Sequence, residues 1–178
     1  MTVSSGALIV ELSGGRAPAV AEGAWVAPGA TLVGAVSVGE GASIWYGAVV
    51  RADNATISIG RDSNLQDNVS AHVDRDAALS VGERVSVGHN AVLHGCTIED
   101  DVLIGMSSTI MNGAVIGTGS LVAAGAVVTQ GMIVPAGSLV AGVPAKVRRA
   151  LTDAEIASIA QNAAAYTALT AEHQTATS

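Results

Sequence analysis

The fold is decided by the stretch from Ile98 to Val140, which reads IEDDVLIGMSSTIMNGAVIGTGSLVAAGAVVTQGMIVPAGSLV. Aliphatic residues occupy every sixth position of it, at Ile98, Ile104, Ile110, Ile116, Val122, Val128, Val134 and Val140. A short fixed period of aliphatic, small and turn residues is typical of a β-solenoid, in which each hexad is one short strand plus a corner. A helical period of 3.6 cannot produce this spacing, and sandwich strands would place turns irregularly, roughly 8–12 residues apart. The sequence therefore predicts an all-β solenoid.

The same period covers most of the preceding chain. Its aliphatic positions are Val26, Leu32, Val38, Ile44, Val50, Ile59, Leu65, Val81, Val87 and Leu93. Insertions interrupt the phase before Ile59 and at Asp74 to Leu79. Small pairs such as Gly113-Ala114 and Gly125-Ala126 stand where a corner between strands has little room for bulk. We therefore expect the solenoid domain to span residues 1–150.

A helix is predicted after the repeat stops near Pro144. Thr152-Asp153-Ala154-Glu155 reads as a capping box. The apolar positions that follow at helical spacing are Ile156, Ile159, Ala160, Ala163, Tyr166 and Leu169. We expect a helix over 151–172, packed on the solenoid or on a neighbouring subunit. Residues 173–178 are expected to form a frayed tail, with His173 exposed and without a role.

Composition narrows the class of function. The 178 residues are 49% hydrophobic and only 13% charged, with a net charge of −7. An acidic chain is a poor nucleic-acid binder, and no apolar run is long enough to span a membrane. The start of the chain lacks the basic region of a secretory signal, and the single Cys96 fits a reducing, cytoplasmic compartment. A surface so poor in charge suggests burial against other subunits.

Three histidines inside this scaffold are the candidate metal ligands, since neutral imidazole is the commonest zinc ligand. They are His72, His89 and His94. His89 and His94 lie in consecutive hexads with a corner between them, and five extended residues span up to about 16–18 Å. His72 and His94 are 22 residues apart, which places them side by side on adjacent coils. We infer that one subunit supplies His72 and His94 and the next supplies His89. The alternative is that each histidine satisfies a local hydrogen bond at a turn.

A polar cluster stands where the repeat would otherwise place aliphatic or small residues. Its members are Arg51, Asp53, Asn64, Gln66 and Asp67. Carboxylates and amides of this kind orient metal-bound imidazoles and the water beside them. Arg51 could hold an anionic product or form an interfacial ion pair with an aspartate. Cys96 is expected to be a small buried corner residue rather than a fourth ligand.

These motifs together resemble the gamma-class carbonic anhydrase-like family of hexapeptide-repeat proteins. The resemblance rests on Arg51-Ala52-Asp53, Asn64-Leu65-Gln66-Asp67, His72-Val73-Asp74, Gly88-His89-Asn90, His94-Gly95-Cys96, Leu103-Ile104-Gly105-Met106 and Gly142-Val143-Pro144-Ala145-Lys146. It implies a left-handed parallel β-helix with a C-terminal α-helix, and a homotrimer with metal sites between subunits. It also implies zinc, or iron or cobalt as Fe²⁺ or Co²⁺, on the three histidines, and reversible hydration of carbon dioxide to bicarbonate. Gln66 matches the residue that orients the hydroxide, Arg51 and Asp53 the pair near bicarbonate, and Asn64 and Asp67 supporting positions.

The chain departs from the best-characterised active members in the segment after His72. Those members carry a longer acidic loop with a proton-shuttling glutamate, whereas Asp74-Arg75-Asp76-Ala77-Ala78 is short and has no Glu. Asn54 also stands where they have a glutamate. A missing shuttle slows turnover without abolishing metal binding. Two other functions stay open on the same scaffold: an acyl-CoA thioesterase or transferase, and a non-catalytic metal-binding trimer.

Overall fold

The computed structural model describes residues 2–177 and shows a parallel β-helix followed by one α-helix. The strands are β1 (Thr2–Val3), β2 (Leu8–Val10), β3 (Ala19–Val20), β4 (Trp25–Val26), β5 (Thr31–Val38), β6 (Ser43–Ile44), β7 (Val49–Ile59), β8 (Asn64–Leu65), β9 (Ser70–His72), β10 (Leu79–Val81), β11 (Ser86–Val87), β12 (Val92–His94), β13 (Thr97–Ile98), β14 (Leu103–Ile104), β15 (Thr109–Ile110), β16 (Val115–Ile116), β17 (Leu121–Val122), β18 (Val127–Val128), β19 (Ile133–Val134), β20 (Ser138–Gly142) and β21 (Ala145–Ala150). The helix is α1 (Asp153–Ala176).

The strands stack into three faces. Face 1 runs in the order β1-β4-β6-β8-β11-β14-β17-β20. Face 2 contains β2, the first parts of β5 and β7, then β9, β12, β15 and β18. Face 3 contains β3, the last parts of β5 and β7, then β10, β13, β16 and β19. Ile98 pairs with Ile116 and Ile104 with Val122, so an uninterrupted coil contains three hexads.

The aliphatic position of each predicted hexad points into the coil. Every one of the 18 hexad residues given above is buried, and Leu32, Ile44 and Ile104 are fully so. The small residues at the corners are buried too, among them Ala30 and Ala114. The predicted β-solenoid of hexads is therefore confirmed, with an aliphatic core inside the three faces.

The insertions all lie at the corner that joins face 2 to face 3. One is closed by a bridge between Leu12 and Arg16, and another by a bridge between Asp74 and Ala77. The third interrupts the pairing of β5 with β7, where Val36 pairs with Ile57. Because β9 and β12 end at this same corner, the inserted polar residues come close to His72 and His94.

Two features after the repeat differ from the sequence prediction. Strand β21 turns back and pairs antiparallel with β20, which the hexad pattern does not show. The helix extends to Ala176 instead of ending at residue 172. Its capping box is present as predicted, with Thr152 and Glu155 bonded reciprocally. Within residues 2–177, no helix is long and apolar enough to cross a membrane.

The helix buries a narrower face than its apolar pattern predicted. Its buried residues are Ile159, Ala163 and Thr170, whereas Ile156 and Leu169 are exposed. The prediction placed the apolar face on the solenoid or on a neighbouring subunit. Within one chain Ile156 and Leu169 are exposed, so their packing against a neighbouring subunit stays a prediction.

An aromatic cluster anchors the end of the helix to face 1. Trp25 and Trp45 meet edge to face with ring centroids 5.1 Å apart. Trp45 also contacts Tyr166 at 5.3 Å and His173 at 4.9 Å. The Tyr46 hydroxyl and His173 Nδ1 are hydrogen-bonded at 2.8 Å. His173 is therefore part of the helix anchor, and its prediction as an exposed tail residue was wrong.

Candidate metal centre

His72 and His94 are neighbours on face 2. They pair in register as the last residues of β9 and β12, and Arg51 precedes them in the same row on β7. Side chains at paired positions of adjacent parallel strands point the same way. His72 Nδ1 and His94 Nε2 are 3.0 Å apart. The prediction that these two histidines lie side by side on adjacent coils is thus matched by the structure.

Asp53 is hydrogen-bonded to the other ring nitrogen of His72. Its Oδ1 is 2.9 Å from His72 Nε2, and its Oδ2 forms a close ion pair with Arg51. Desolvation tends to raise the pKa of Asp53, but hydrogen bonds from His72, the backbone and Arg51 outweigh it and lower the pKa below its ordinary value. The carboxylate therefore stays ionised at neutral pH and can orient both the His72 ring and the Arg51 guanidinium.

Asn112 holds the other nitrogen of His94, a contact that the sequence analysis missed. Asn112 Oδ1 is 2.6 Å from His94 Nδ1, and its Nδ2 donates to Asp74 Oδ2 at 2.7 Å. Asn112 follows His94 by 18 residues, the length of one uninterrupted coil. The coil length is therefore the signal that could have found it.

His89 lies at a different corner, between face 1 and face 2. Its Nδ1 is 2.9 Å from Asp67 Oδ2, and its Nε2 is 3.3 Å from the hydroxyl of Tyr166 on the helix. Burial, and secondarily the charge of Asp67, raises the pKa of Tyr166 above its ordinary value. The phenol therefore stays protonated near His89.

Gln66 lines the groove beside His89 and has a fixed orientation. Its Nε2 donates to Asn64 Oδ1 at 3.1 Å, and Asn64 Nδ2 donates to Ser86 Oγ at 3.0 Å. All three residues are buried. The groove, about 360 Å³ in volume, lies between the helix and the solenoid and is bordered by Met106 and Tyr166. Because the Gln66 amide nitrogen is engaged, its oxygen Oε1 is the atom left for a ligand.

The predicted site residues thus form two half-sites at opposite ends of face 2. We call the first the His72/His94 half-site; it includes Arg51 and Asp53. The second, the His89 half-site, includes Asn64, Gln66 and Asp67. Within residues 2–177 of a single chain, no three His, Cys, Asp or Glu side chains are grouped so as to hold a metal ion. One chain therefore does not bring the three histidines together.

The donor atoms of the His72/His94 half-site suit a divalent cation. A tetrahedral zinc with Zn–N bonds of about 2.0–2.1 Å holds its nitrogens about 3.3–3.4 Å apart. The 3.0 Å between His72 Nδ1 and His94 Nε2 is within a few tenths of that. The remaining nitrogens are bonded to Asp53 and Asn112, as the outer partners of metal-bound histidines usually are. The residues present thus fit two ligands of such a site.

Comparison with known proteins decides the family. A family model described as bacterial transferase hexapeptide (six repeats) matches residues 95–130. A Methanocaldococcus jannaschii protein named "Probable carbonic anhydrase" is 54% identical over 144 residues, which cover 81% of this chain and 91% of that protein. The chain belongs to the gamma carbonic anhydrase-like family of hexapeptide-repeat proteins. Gamma carbonic anhydrase 1, mitochondrial, of Arabidopsis thaliana is 44% identical over 89% of this chain, which spans only 60% of that relative's length.

Solved structures of similar chains confirm the fold of this gamma carbonic anhydrase-like protein. A Bacillus cereus protein, provisionally described as an acetyltransferase, superposes with a TM-score of 0.93 at 37% identity, covering 96% of this chain and 99% of that chain. A hexapeptide transferase family protein from Anaplasma phagocytophilum superposes with a TM-score of 0.89 at 39% identity, covering 93% and 97%. Both likenesses extend over almost the whole β-helix and its C-terminal helix.

Cys96 is not a ligand in this gamma carbonic anhydrase-like chain. Its side chain is buried in the solenoid core, 1% exposed, and burial raises the pKa of its thiol to about 12. A protonated thiol that faces the core cannot bind a cation on the surface of face 2. The expectation of a buried corner residue therefore agrees with the structure.

Proposed function

We propose that this protein is a metal-dependent carbonic anhydrase that reversibly hydrates carbon dioxide and works as a homotrimer. Each site would take His72 and His94 from one subunit and His89 from the next, and zinc is the proposed metal, with Fe²⁺ or Co²⁺ as alternatives. The observation that carries the proposal is the pair of imidazole nitrogens 3.0 Å apart, each ring braced by an oxygen of its own chain. The carbonic anhydrase names of relatives such as those from Methanocaldococcus jannaschii and Geobacillus kaustophilus support it.

A bound divalent cation would lower the pKa of a coordinated water toward about 7 and so make hydroxide available at neutral pH. The chain's own contribution starts with Gln66. Its Oε1 is free to accept a hydrogen bond from the O–H of the attacking hydroxide, since its Nε2 donates to Asn64. This contact orients the lone pair that attacks the carbon of carbon dioxide. Asn64 and Ser86 hold Gln66 in place through their own hydrogen bond.

The Arg51 guanidinium is the group suited to an anionic product. It lies in the same row as His72 and is paired with Asp53, which also braces His72. Because the arginine is partly exposed, its remaining N–H groups can bind the oxygens of bicarbonate as it leaves. Asp67 would hold His89 through Nδ1, and Nε2, which lies 3.3 Å from the Tyr166 hydroxyl, would exchange that contact for the metal.

Turnover is proposed to be slow. The bridge between Asp74 and Ala77 closes a short loop after His72, and this loop contains no glutamate to carry protons away. Position 54 is also not a glutamate, since it is Asn54. Proton transfer by a positioned side chain contributes about 10²–10⁴-fold to catalysis. A chain without that shuttle would bind its metal fully and hydrate carbon dioxide at a reduced rate.

Two measurements on the same preparation test the proposal. Elemental analysis of protein purified with and without oxygen should find one metal ion per chain, and stopped-flow assays should show carbon dioxide hydration that a chelator removes. His72→Ala, His89→Ala and His94→Ala should each lose the metal. A metal-free trimer, or a fully loaded trimer with no hydration, would overturn the carbonic anhydrase function.

An acyl-CoA-dependent transferase is the second candidate, because the Bacillus cereus relative with the same fold is provisionally described as an acetyltransferase. The coils from Ile98 to Val140 contain no inserted loop that could cover an acyl donor. Release of free thiol from acetyl-CoA, with water or an added amine as the acyl acceptor and followed with a chromogenic disulfide, separates the two functions. Metal-dependent hydration without thiol release is the result that we expect.

A further inference from the structure

The short loop after His72 is joined to His94 by a chain of hydrogen bonds. Asp74, the first residue of the loop, accepts from the amide nitrogen of Asn112, whose amide oxygen bonds His94 Nδ1. The three residues lie on three successive coils. This series of hydrogen bonds therefore runs along the axis of the solenoid and ends at a proposed metal ligand.

The direction of each bond follows from chemistry. An ionised carboxylate can only accept, so the NH₂ group of Asn112 must face Asp74. The amide oxygen of Asn112 then faces His94, and an oxygen acceptor requires a proton on His94 Nδ1. A neutral imidazole with its proton on Nδ1 has its lone pair on Nε2, the atom that is 3.0 Å from His72.

The backbone around this chain leaves space for Asn112. A Cβ built on Gly95 would lie 2.5 Å from Asn112 Oδ1 and 2.7 Å from Ala77 Cβ, and Gly95 has a φ of +53°. Only a residue without a side chain therefore lets the loop and Asn112 approach His94 together. The bridge between Asp74 and Ala77 fixes the other end of the chain.

We propose that Asn112, oriented by Asp74, is a positioning residue that selects the tautomer of His94 with its lone pair on Nε2 and so prepares His94 to bind the metal. The proposal rests on the metal site of the proposed function. It gives the short loop a role: the loop places Asp74 where it can orient Asn112. The expected consequence is a loss of metal affinity when the amide oxygen is removed, about 10–100-fold for an outer-shell partner.

The tautomer can be read directly in the full-length, metal-free protein. Long-range ¹H–¹⁵N NMR spectra distinguish the protonated from the unprotonated ring nitrogen of His94. The wild-type protein and the exchanged pair Asp74→Asn/Asn112→Asp, which keeps an oxygen acceptor at His94 and an amide donor opposite it, should show the proton on Nδ1. Asn112→Leu should show a mixture of tautomers, and Asp74→Ala, which frees the amide to turn, should show an intermediate mixture.

Zinc affinity, measured by competition with a chromogenic chelator, is the second readout. Asn112→Leu should bind about 10–100-fold more weakly, and the exchanged pair Asp74→Asn/Asn112→Asp should stay closer to wild-type affinity. Gln130→Leu is the matched control, since Gln130 lies one coil farther along and lines the same cleft as Asn112 and Asp74. It should leave both readouts unchanged. An Asn112→Leu variant with the Nδ1 tautomer intact, or with unchanged zinc affinity, would overturn the proposal.

Neither readout depends on hydration of carbon dioxide. If the tautomer and the affinity change as expected but the wild-type protein hydrates no carbon dioxide, the role of Asn112 stands and the carbonic anhydrase function fails. If the wild-type protein hydrates carbon dioxide but the tautomer and the zinc affinity do not change when Asn112 is substituted, the carbonic anhydrase function stands and the role of Asn112 fails.

Discussion

Each of the three histidines has at least one ring nitrogen bonded to an oxygen of its own chain, and the second nitrogen of His89 also contacts the Tyr166 hydroxyl. The partners are Asp53 for His72, Asp67 for His89 and Asn112 for His94. A bond of this kind fixes the rotation of the ring and determines which nitrogen is left for a ligand. The rings are therefore oriented before any second subunit or metal arrives, which lowers the entropic cost of forming the site.

Gln66→Leu should slow the hydration of carbon dioxide without weakening metal binding. The variant keeps the side-chain volume but removes the amide oxygen that orients the attacking oxygen, so kcat/KM for hydration should fall by about 10²-fold. Zinc content should stay at the wild-type level, because Gln66 bonds Asn64 and none of the proposed ligands. Stopped-flow kinetics measures the fall in kcat/KM, and elemental analysis measures the zinc content. Gln161→Leu, at an exposed glutamine of the helix, is the control, and an unchanged rate for Gln66→Leu would contradict the role.

The histidines were predicted from the sequence, whereas the contacts of Asn112 and Tyr166 were not, although the coil length could have indicated the first of them. Imidazoles inside a hexad repeat stand out against an aliphatic pattern. Asn112 resembles any polar corner residue until the stacking of β12 on β15 places it against His94. Tyr166 belonged to an apolar helical stripe, and only the docking of the helix brings its hydroxyl to His89. The contact between helix and coil depends on packing that the repeat does not encode.

At the scale of the strand, the inward and outward positions of one face should differ sharply in their contribution to stability. Ile116 on β16 is fully buried, whereas Ile133 on the neighbouring β19 is 65% exposed. Ile116→Ala should lower the free energy of unfolding by about 2–5 kcal/mol, because it leaves a cavity in a close-packed column. Ile133→Ala should change it by less than about 0.5 kcal/mol. Urea denaturation at one fixed chain concentration measures both, and similar losses would contradict the assignment of faces.

The start of the helix should weaken in acid. Two hydrogen bonds from Arg149, followed by those from Thr152, lower the pKa of Glu155 from 4.5 to about 2. The carboxylate is thus bound more firmly in the folded chain, and its contribution is fully present above pH 4.5 and lost as the pH falls toward 2. Glu155→Gln lacks this contribution.

The fluorescence of Trp45, which contacts Tyr166 and His173, reports docking of the helix. The difference in stability between wild type and Glu155→Gln should be largest above pH 5 and should shrink between about pH 4.5 and 2. Thr152→Ala, which removes the side-chain cap and the hydroxyl's hydrogen bond to Glu155, should cost about 1 kcal/mol above pH 5. A difference between wild type and Glu155→Gln that does not change with pH would contradict the role of the ion pair.

The sequence predicted the coils more accurately than β21 or the packed face of the helix, and the reason is physical. The hexad period identified the coils because each inward position must be aliphatic, and this requirement repeats without exception from Ile98 to Val140. Strand β21 has no such repeat, since it pairs with β20 along one edge and contributes mostly exposed residues. The helix has two apolar lines, and the sequence alone does not tell that Ile159 and Ala163 are buried while Ile156 is not.

At the scale of the whole molecule, the two half-sites give a reason for the proposed assembly. Face 2 carries one half-site at each of its long edges, so residues 2–177 of a single chain form two incomplete sites and no complete one. Repeating the same contact around a threefold axis would join each His72/His94 half-site to a His89 half-site and leave none unmatched. This closure supports the proposed homotrimer more strongly than low charge does.

Mixed assembly tests this arrangement. His94→Ala lacks the first half-site and His89→Ala lacks the second, so each variant alone should bind no metal and show no hydration. Co-expressed in equal amounts, they should form mixed trimers in which about a quarter of the interfaces join two intact halves. Zinc content and hydration should recover to that fraction. Co-expression of His94→Ala with His72→Ala is the control, since both lack the same half-site and no interface is restored. Equal recovery in both mixtures, or none in either, would show that the three histidines are not shared between neighbouring chains.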